Sequence, residues 1–322
     1  MAQASFRKGA ARRFIALTVL LFAATVCAAL ATWHWFLELF SHFTPQYFVF
    51  ALLLAAGLLL LRAWRWAALA VALALWNGYP IAQMFAPVRT PEVHATRTFS
   101  VFHFNVSLNH ERPQRIVSHL RRKADDIDVV VLLEATHDFA IALDELKDIF
   151  PHQIRHLEDS PFGIAMASKH PFDFGAISNQ PSPLFPHIEA TIRLPGRAAP
   201  LALYAVHAPP PISAEMAEAR NSKLAHIAGR AAAQAQATPV VVGDFNLTQW
   251  SAYFQRFTAA SGLRDARRSR RFDHTWPVTF NNAHIGIALD HTFAHASLPL
   301  VERIIGPDLG SDHMPVTARF GY

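Results

Sequence analysis

The hydrophobic pattern divides this chain in two. Over the first 85 residues apolar positions run on without a helical or strand period, in three stretches. Phe14 to Phe40 is almost uncharged, and Gln46 to Leu61 and Trp66 to Phe85 carry no charge at all. A helix that crosses a bilayer needs roughly 20 apolar residues, and helices apolar all round have no face to offer water. The pattern therefore predicts three transmembrane helices, at about 14–38, 46–63 and 66–85. The second is short, and spans only if Arg62 and Arg65 extend their stems toward the headgroups. Trp33, Trp35, Tyr47, Trp64, Trp66, Trp76 and Tyr79 lie near the segment ends, where interfacial aromatics collect. The first segment has the basic start of a signal peptide. Its long apolar stretch and the two segments that follow favour a retained anchor, residues 1–88.

After a Pro-containing connector at 89–96 the pattern changes. Short, β-branched runs read as strands: "FSVFHFNV", "DVVVLLE", "FGIAMAS", "HIEATIRL", "LALYAVH", "PVVVGDF", "ALDHTFAH" and "MPVTARF". Between them, 113–123, 139–150, 212–236 and 248–260 carry helical spacing. Many strands with helices interspersed predict one α/β domain of layered sheets over 97–322. No internal repeat is present.

Composition and charge sharpen this division. Of the 322 residues 52% are hydrophobic and 16% charged, an excess of apolar residues that the first part of the chain accounts for. The net charge of +5 also resides there: residues 1–96 hold seven Lys or Arg and two acids, and the remaining 22 basic and 22 acidic residues cancel. The second part thus has no global basic field for nucleic acid. Its one basic cluster, "RDARRSRR" (Arg264 to Arg271), reads as a solvated loop. Arg7, Lys8, Arg12 and Arg13 precede the first span, Arg62 and Arg65 separate the second from the third, and "ELFSHFTPQ" between the first two has neither Lys nor Arg. The positive-inside rule then puts the N-terminus in the cytoplasm and, after three crossings, the large domain outside a plasma (inner) membrane. The lone cysteine, Cys27, permits no disulfide within the chain.

The candidate chemistry sits where strands end. "VFHFN" ends in Asn105, "VVVLLE" in Glu134, "LALYAVH" in His207, "VVVGDFN" in Asp244 and Asn246, and "IALD" in Asp290; "GSDHMPV" before the last strand supplies Ser311, Asp312 and His313. Charged groups at the ends of buried strands are costly unless paired or metal-bound. One such residue is an ordinary cap or turn; polar residues at the same kind of position on six strands, five at their ends and one at its start, point to one convergent site. Ser311 still reads as a turn residue. His103 shares the strand face of Asn105 and reads as a packed histidine. His291 should face away from Asp290, and His274, His284 and His295 have no supporting spacing.

This ordered set, Asn105, Glu134, His207, "GDFN", "LDHTF" and "SDH", resembles the endonuclease/exonuclease/phosphatase superfamily of metal-dependent phosphoesterases, over residues 97–322. The resemblance implies a four-layer α-β-β-α sandwich and a phosphoester hydrolase. In it Glu134 is the main metal ligand with Asn105 beside it, and Asp312 completes or extends the set. Asp244 and Asn246 position water and bond the phosphate, His313 is the general base oriented by Asp290, and His207 donates to phosphoryl oxygens. Carboxylate and carboxamide oxygens suit Mg²⁺ or Mn²⁺, and no Cys/His cluster has zinc spacing. Implied partners are the bilayer and a phosphoester, whether lipid-linked, headgroup, nucleotide or nucleic acid. Calcineurin-like metallophosphoesterases need Asp-x-His and Gly-Asn-His motifs that this chain lacks. A catalytically silent anchored scaffold of the same fold is the alternative, against which the intact set of acid, base and metal candidates counts.

Overall fold

The computed structural model describes residues 2–84, 97–110, 112–267, 274–280 and 283–322. The connector expected at 89–96 and residues 268–271 of the basic cluster lie outside them. The chain forms two compact units, one of residues 1–88 with 249–252 and one of residues 89–248 with 253–322.

In the first unit, α1 (Ala2–Ala29) is followed by α2 (Trp35–Glu38), a 3₁₀ segment (Leu39–Phe43), α3 (Thr44–Leu60) and α4 (Trp64–Met84). Three stretches are long and apolar enough to cross a membrane: Phe6–Ala29, Trp35–Leu60 and Trp64–Met84. This shifts the expected boundaries. The first helix ends at Ala29 because His34 caps a new one, its Nδ1 accepting from Phe36 N–H at 3.2 Å. Residues 35–43, read as the end of the first span and a loop, instead lengthen the second, which reaches 26 residues without help from Arg62 or Arg65. Pro45 falls in the first turn of α3, where its missing N–H costs nothing. Asn77 on α4 donates to Thr25 Oγ1 of α1 at 3.1 Å and to Leu73 O at 2.9 Å, so the buried amide is satisfied inside the bundle.

The second unit runs β1 (Thr98–Asn105), α5 (Pro113–Arg122), β2 (Val129–Leu133), α6 (Phe139–Glu145), β3 (His152–His156), β4 (Ile164–Ser168), β5 (Phe172–Ser178), β6 (His187–Ile192) and β7 (Leu201–His207). It continues through α7 (Ala214–Ala232), β8 (Thr238–Asp244), α8 (Ala252–Ser261), β9 (Arg264–Asp265), β10 (Trp276–Phe280), β11 (Ala283–Ile287), β12 (Asp290–Ala294), β13 (Leu300–Ile305) and β14 (Val316–Gly321). Two six-stranded sheets result, ordered β13-β14-β1-β2-β4-β3 and β5-β6-β7-β8-β12-β9, with β10 and β11 as a separate hairpin. Each sheet is antiparallel except for one parallel pair, β1 with β2 and β7 with β8.

Alternation along the strands builds the layers. Phe99 and Val101, Val129 and Val131, Leu201 and Leu203, and Val240 and Val242 share the core between the sheets. The intervening Phe102, Phe104, Val130 and Leu132 pack on Ile116, Val117 and Leu120 of α5 and Phe139 of α6. On the far side Tyr204, Val206, Val241 and Phe293 pack on Leu224 and Ile227 of α7 and Phe254 and Phe257 of α8. The order is helices, sheet, sheet, helices: two stacked mixed sheets flanked by helices, as expected. The sequence pattern missed β3, β5 and β13, whose residues are mostly half-buried or exposed and so lack the apolar run that marked their neighbours, and it missed the short β9 and the β10–β11 hairpin as well.

At Gly243 the backbone of β7 approaches β8 closely. The glycine's φ is +137°, and a Cβ there would lie 1.9 Å from Val206 O. Gly243→Ala should therefore destabilise the protein by roughly 3 kcal/mol, lowering the melting midpoint by about 6–12 °C. Thermal unfolding of the full chain in detergent, followed by circular dichroism, checks this; an unchanged midpoint refutes it.

Candidate active site

The inner-face parity of four strands carries straight through to their ends. Asn105 continues Phe99 and Val101, His207 continues Leu201 and Leu203, Asp244 continues Val240 and Val242, and Asp290 lies on the face of Ala294. The register does the rest: His207 pairs with Asp244 across β7 and β8, and Asp290 pairs with Asp244 across β8 and β12. Asn105 pairs with Leu133, directly before Glu134. The site is thus the polar mouth of the core between the sheets.

There the side chains meet. Asn105 Nδ2 donates to Glu134 Oε1 at 2.9 Å and to Asp244 Oδ2 at 3.1 Å. Glu134 Oε2 accepts from Leu108 N–H at 2.7 Å. His207 Nε2 faces Glu134 Oε1 and Asp244 Oδ2, each at 3.7 Å. Asp244 Oδ1 accepts from Asn246 N–H at 2.8 Å, and Asn246 Nδ2 donates to Ala208 O at 2.9 Å. His313 Nδ1–H donates to Asp290 Oδ2 at 2.8 Å, which leaves Nε2 3.6 Å from Asp244 Oδ2. Glu134 and Asn246 adopt φ of 58° and 49°, left-handed values that cost a non-glycine residue roughly 1–3 kcal/mol. The hydrogen bonds just named hold them there.

Burial sets the electrostatics. Burial pushes the Asp244 carboxyl up to about 6, against the pull of His313 and His207. Burial also acts to raise Asp290, but the His313 imidazolium beside it holds it below the usual carboxylate range. For His313 burial acts downward, and the fields of Asp290 and Asp244 overcome it, pushing the imidazole up to about 10. With both carboxylates ionised, the protonated ring is the favoured form.

Asp312 stands slightly apart. It is exposed, and its hydrogen bonds run to Trp276 Nε1 (3.3 Å) and Ser311 Oγ (3.3 Å) rather than to Glu134 or Asn105. Ser311 does form a turn, its Oγ accepting from His313 N–H at 3.0 Å, but it also donates to Asn105 O at 2.7 Å and so ties the "SDH" loop to β1. His103 lies one step deeper than Asn105, with Nε2 2.8 Å from Thr292 Oγ1, and burial drives it down to about 3, a neutral packed imidazole. His291 faces α8 and bonds Leu247 O at 2.8 Å, away from the site as its parity required. Two contributors had no signal in the sequence. Thr275 Oγ1 accepts from the N–H groups of Leu289 and Asp290 at 3.0 Å each, and the Phe162 ring packs 5.5 Å from that of His207.

Residues 102–313 match the profile of the Endonuclease/Exonuclease/phosphatase family. The chain belongs to this family. Its members include nucleases, phosphodiesterases and phosphatases, and are generally hydrolytic and metal-dependent. The fold is similar to that of an endonuclease/exonuclease/phosphatase from Beutenbergia cavernae DSM 12333, with a TM-score of 0.57 and 20% identity over 70% of this chain and 72% of that one. It is also similar to D. rerio TDP2 complexed with a single-strand DNA product, at TM-score 0.57 and 16% identity over 70% and 99% of the two chains. A family protein from Bacteroides thetaiotaomicron gives 0.55 and 14% over 70% and 98%. At these identities the likeness is one of fold. No curated protein matches the sequence.

Among the described residues two groups of three titratable side chains lie close enough to share an ion: Asp244, Asp290 and His313, and, apart from them, His187, Glu189 and His226. In the second group cations of the chain itself already hold the ligand atoms. Arg230 donates to both Glu189 oxygens, at 3.2 and 2.7 Å, and Lys223 Nζ donates to His187 Nδ1 at 2.8 Å. Burial lowers Lys223 to about 7. Although burial acts to raise Glu189, hydrogen bonds from His187 and Arg230 hold it down at about 2. A depressed carboxylate stabilises the fold above its unfolded value of 4.5, and that contribution is lost as pH falls through about 2. Glu189→Gln should accordingly melt below the parent at pH 6, with the gap narrowing between pH of about 4.5 and 3. A gap constant over that range in paired melting curves refutes the assignment.

Proposed function

We propose that this protein is a membrane-anchored phosphodiester hydrolase dependent on Mg²⁺ or Mn²⁺, with its catalytic domain outside the membrane. The observation that carries the reading is the convergence of Asn105, Glu134, His207, Asp244 and the His313–Asp290 pair at one mouth between the sheets. The donor chemistry fits a hard divalent cation: a carboxylate and a carboxamide in contact, with a second, fully buried carboxylate bonded to the same amide. Glu134 and Asn105 would hold the ion, and Asp312, on the loop that Ser311 fastens to Asn105, is the third candidate ligand. When bound, the ion would neutralise phosphoryl oxygens and offset the field of Asp244 on His313.

The chain's own groups then divide the work. Asp290 accepts a hydrogen bond from His313 Nδ1–H, which fixes the ring and aims Nε2 at the space beside Asp244, where it accepts a proton from the attacking water. Asp244 and Asn246 orient that water and the phosphate, with Asp244 itself held by the Asn246 N–H. His207 Nε2–H donates to a phosphoryl oxygen as charge develops. The domain's balanced charge favours a short or headgroup phosphodiester over long nucleic acid, which relies on many phosphate contacts. D. rerio TDP2, of similar fold, is complexed with a single-strand DNA product, which is consistent with a phosphoester substrate.

The full-length chain in detergent should hydrolyse bis(p-nitrophenyl) phosphate with Mg²⁺ or Mn²⁺ and lose that activity in EDTA. His313→Ala should lower turnover by roughly 10²–10⁴-fold with the melting midpoint little changed. Chelator-resistant hydrolysis refutes the metal, and near-parent turnover in the variant removes His313 from the mechanism.

Three stretches able to cross a membrane, with basic residues at the N-terminal end of the first (Arg7, Lys8, Arg12 and Arg13) and at the junction of the last two (Arg62 and Arg65), and none between the first two, support the outward orientation. A reporter enzyme that is active only outside the cytoplasm, fused after Tyr322, should be active, and protease added to spheroplasts should remove the domain. Protection until the membrane is lysed refutes the orientation.

A further inference from the structure

We infer that Phe162 and Lys223 are positioning residues that hold the ring of His207 in its working plane. The inference rests on the role proposed for His207 as donor to the phosphate. His313 has its far nitrogen anchored by Asp290, whereas buried His207 Nδ1 has no hydrogen-bond partner among the described residues. Its Nε2 stands 3.7 Å from two carboxylate oxygens, beyond hydrogen-bond length. The outer torsion of a histidine is soft, so hydrogen bonding leaves the ring plane undetermined.

Packing determines it instead. The Phe162 ring lies 5.5 Å from the His207 ring, inclined at 42°, and meets Phe185 edge-on at 4.7 Å and 75°. Both phenyl groups are fixed from behind. Phe162 N–H donates to Ser160 Oγ at 3.1 Å, and Gly163 beside it packs so tightly that a Cβ would fall 2.1 Å from Ala135 O, next to Glu134. Phe185 is held through its backbone: Lys223 Nζ, 1% exposed on α7, donates to Phe185 O, to Gln180 O at 3.0 Å and to His187 Nδ1 at 2.8 Å. A buried ammonium is costly where packing alone is needed, since any apolar side chain would fill the space. Here its donors staple residues 180–187 as a backstop, and the order runs from Lys223 to Phe185, to Phe162, to His207.

A double-mutant cycle on the full-length chain, with bis(p-nitrophenyl) phosphate and Mg²⁺, tests this. Phe162→Ala and Phe162→Leu should each lower kcat about tenfold with little change in KM, since a misplaced donor loses transition-state contacts rather than ground-state binding. Phe162→Tyr, which restores a ring, should recover most of that loss. Lys223→Met should lower kcat in the same direction. In a His207→Ala background none of these changes should cost anything further, because the group they position is gone. Losses that persist in full in that background, at temperatures where every variant remains folded, overturn the inference and leave the role of His207 standing. Parent-like kcat in His207→Ala alone overturns both.

Discussion

One alignment governs the rest of this molecule: the register in which β7, β8 and β12 lie side by side. It sets His207 against Asp244 and Asp244 against Asp290, all on the face that looks into the core between the sheets. Because side chains alternate along a strand, a slip of one residue in β8 would turn Asp244 toward the helices and bring Val241 inward. The apolar residues before each site residue resist that slip, since Val240 and Val242 are fully sequestered between the sheets. Gly243 permits the close approach on which the pairing depends. The same valines that build the core therefore also aim the chemistry.

Placing acids at the end of such strands is expensive, and the structure shows how the cost is contained. Asp290 is held ionised by His313, and the Glu134 carboxylate accepts from the amide of Asn105 and the N–H of Leu108. Asp244 is the least compensated of the three, pushed up to about 6 by burial with Asn105, His207 and His313 gathered around it. Left-handed backbone at Glu134 and Asn246 turns the chain sharply at the strand ends, and Arg220 NH1 braces the second turn by donating to Asn246 O at 3.2 Å. In the function proposed above, this arrangement preorganises the site for a cation and a phosphoryl group.

The second titratable cluster solves the opposite problem. Around His187 and Glu189 the chain supplies its own cations, Lys223 and Arg230, and the result is a closed staple rather than an open site. The two clusters contain similar residue types. They differ in whether the charge is already answered by the protein.

Much of this was legible in the sequence because the forces involved are local. Uninterrupted apolar stretches announced three membrane-length helices, and short β-branched runs ending in Asn105, Glu134, His207, Asp244 and Asp290 announced buried strands with a polar end in common. Parity alone correctly turned His291 away. What stayed hidden depends on who sits across from whom. The half-exposed β3, β5 and β13 have little pattern of their own and exist because a neighbour pairs with them. The cap at His34, which moves residues 35–43 into the second span, is a matter of backbone geometry at one turn. Ser311 became a link to Asn105, Thr275 a support under Asp290, and Phe162 the wall of His207, across 206, 15 and 45 positions of chain respectively. Chain order dictates which residues can be buried and which carry charge; which of them meet is a property of the fold, because register and packing bring together side chains that no spacing along the chain connects.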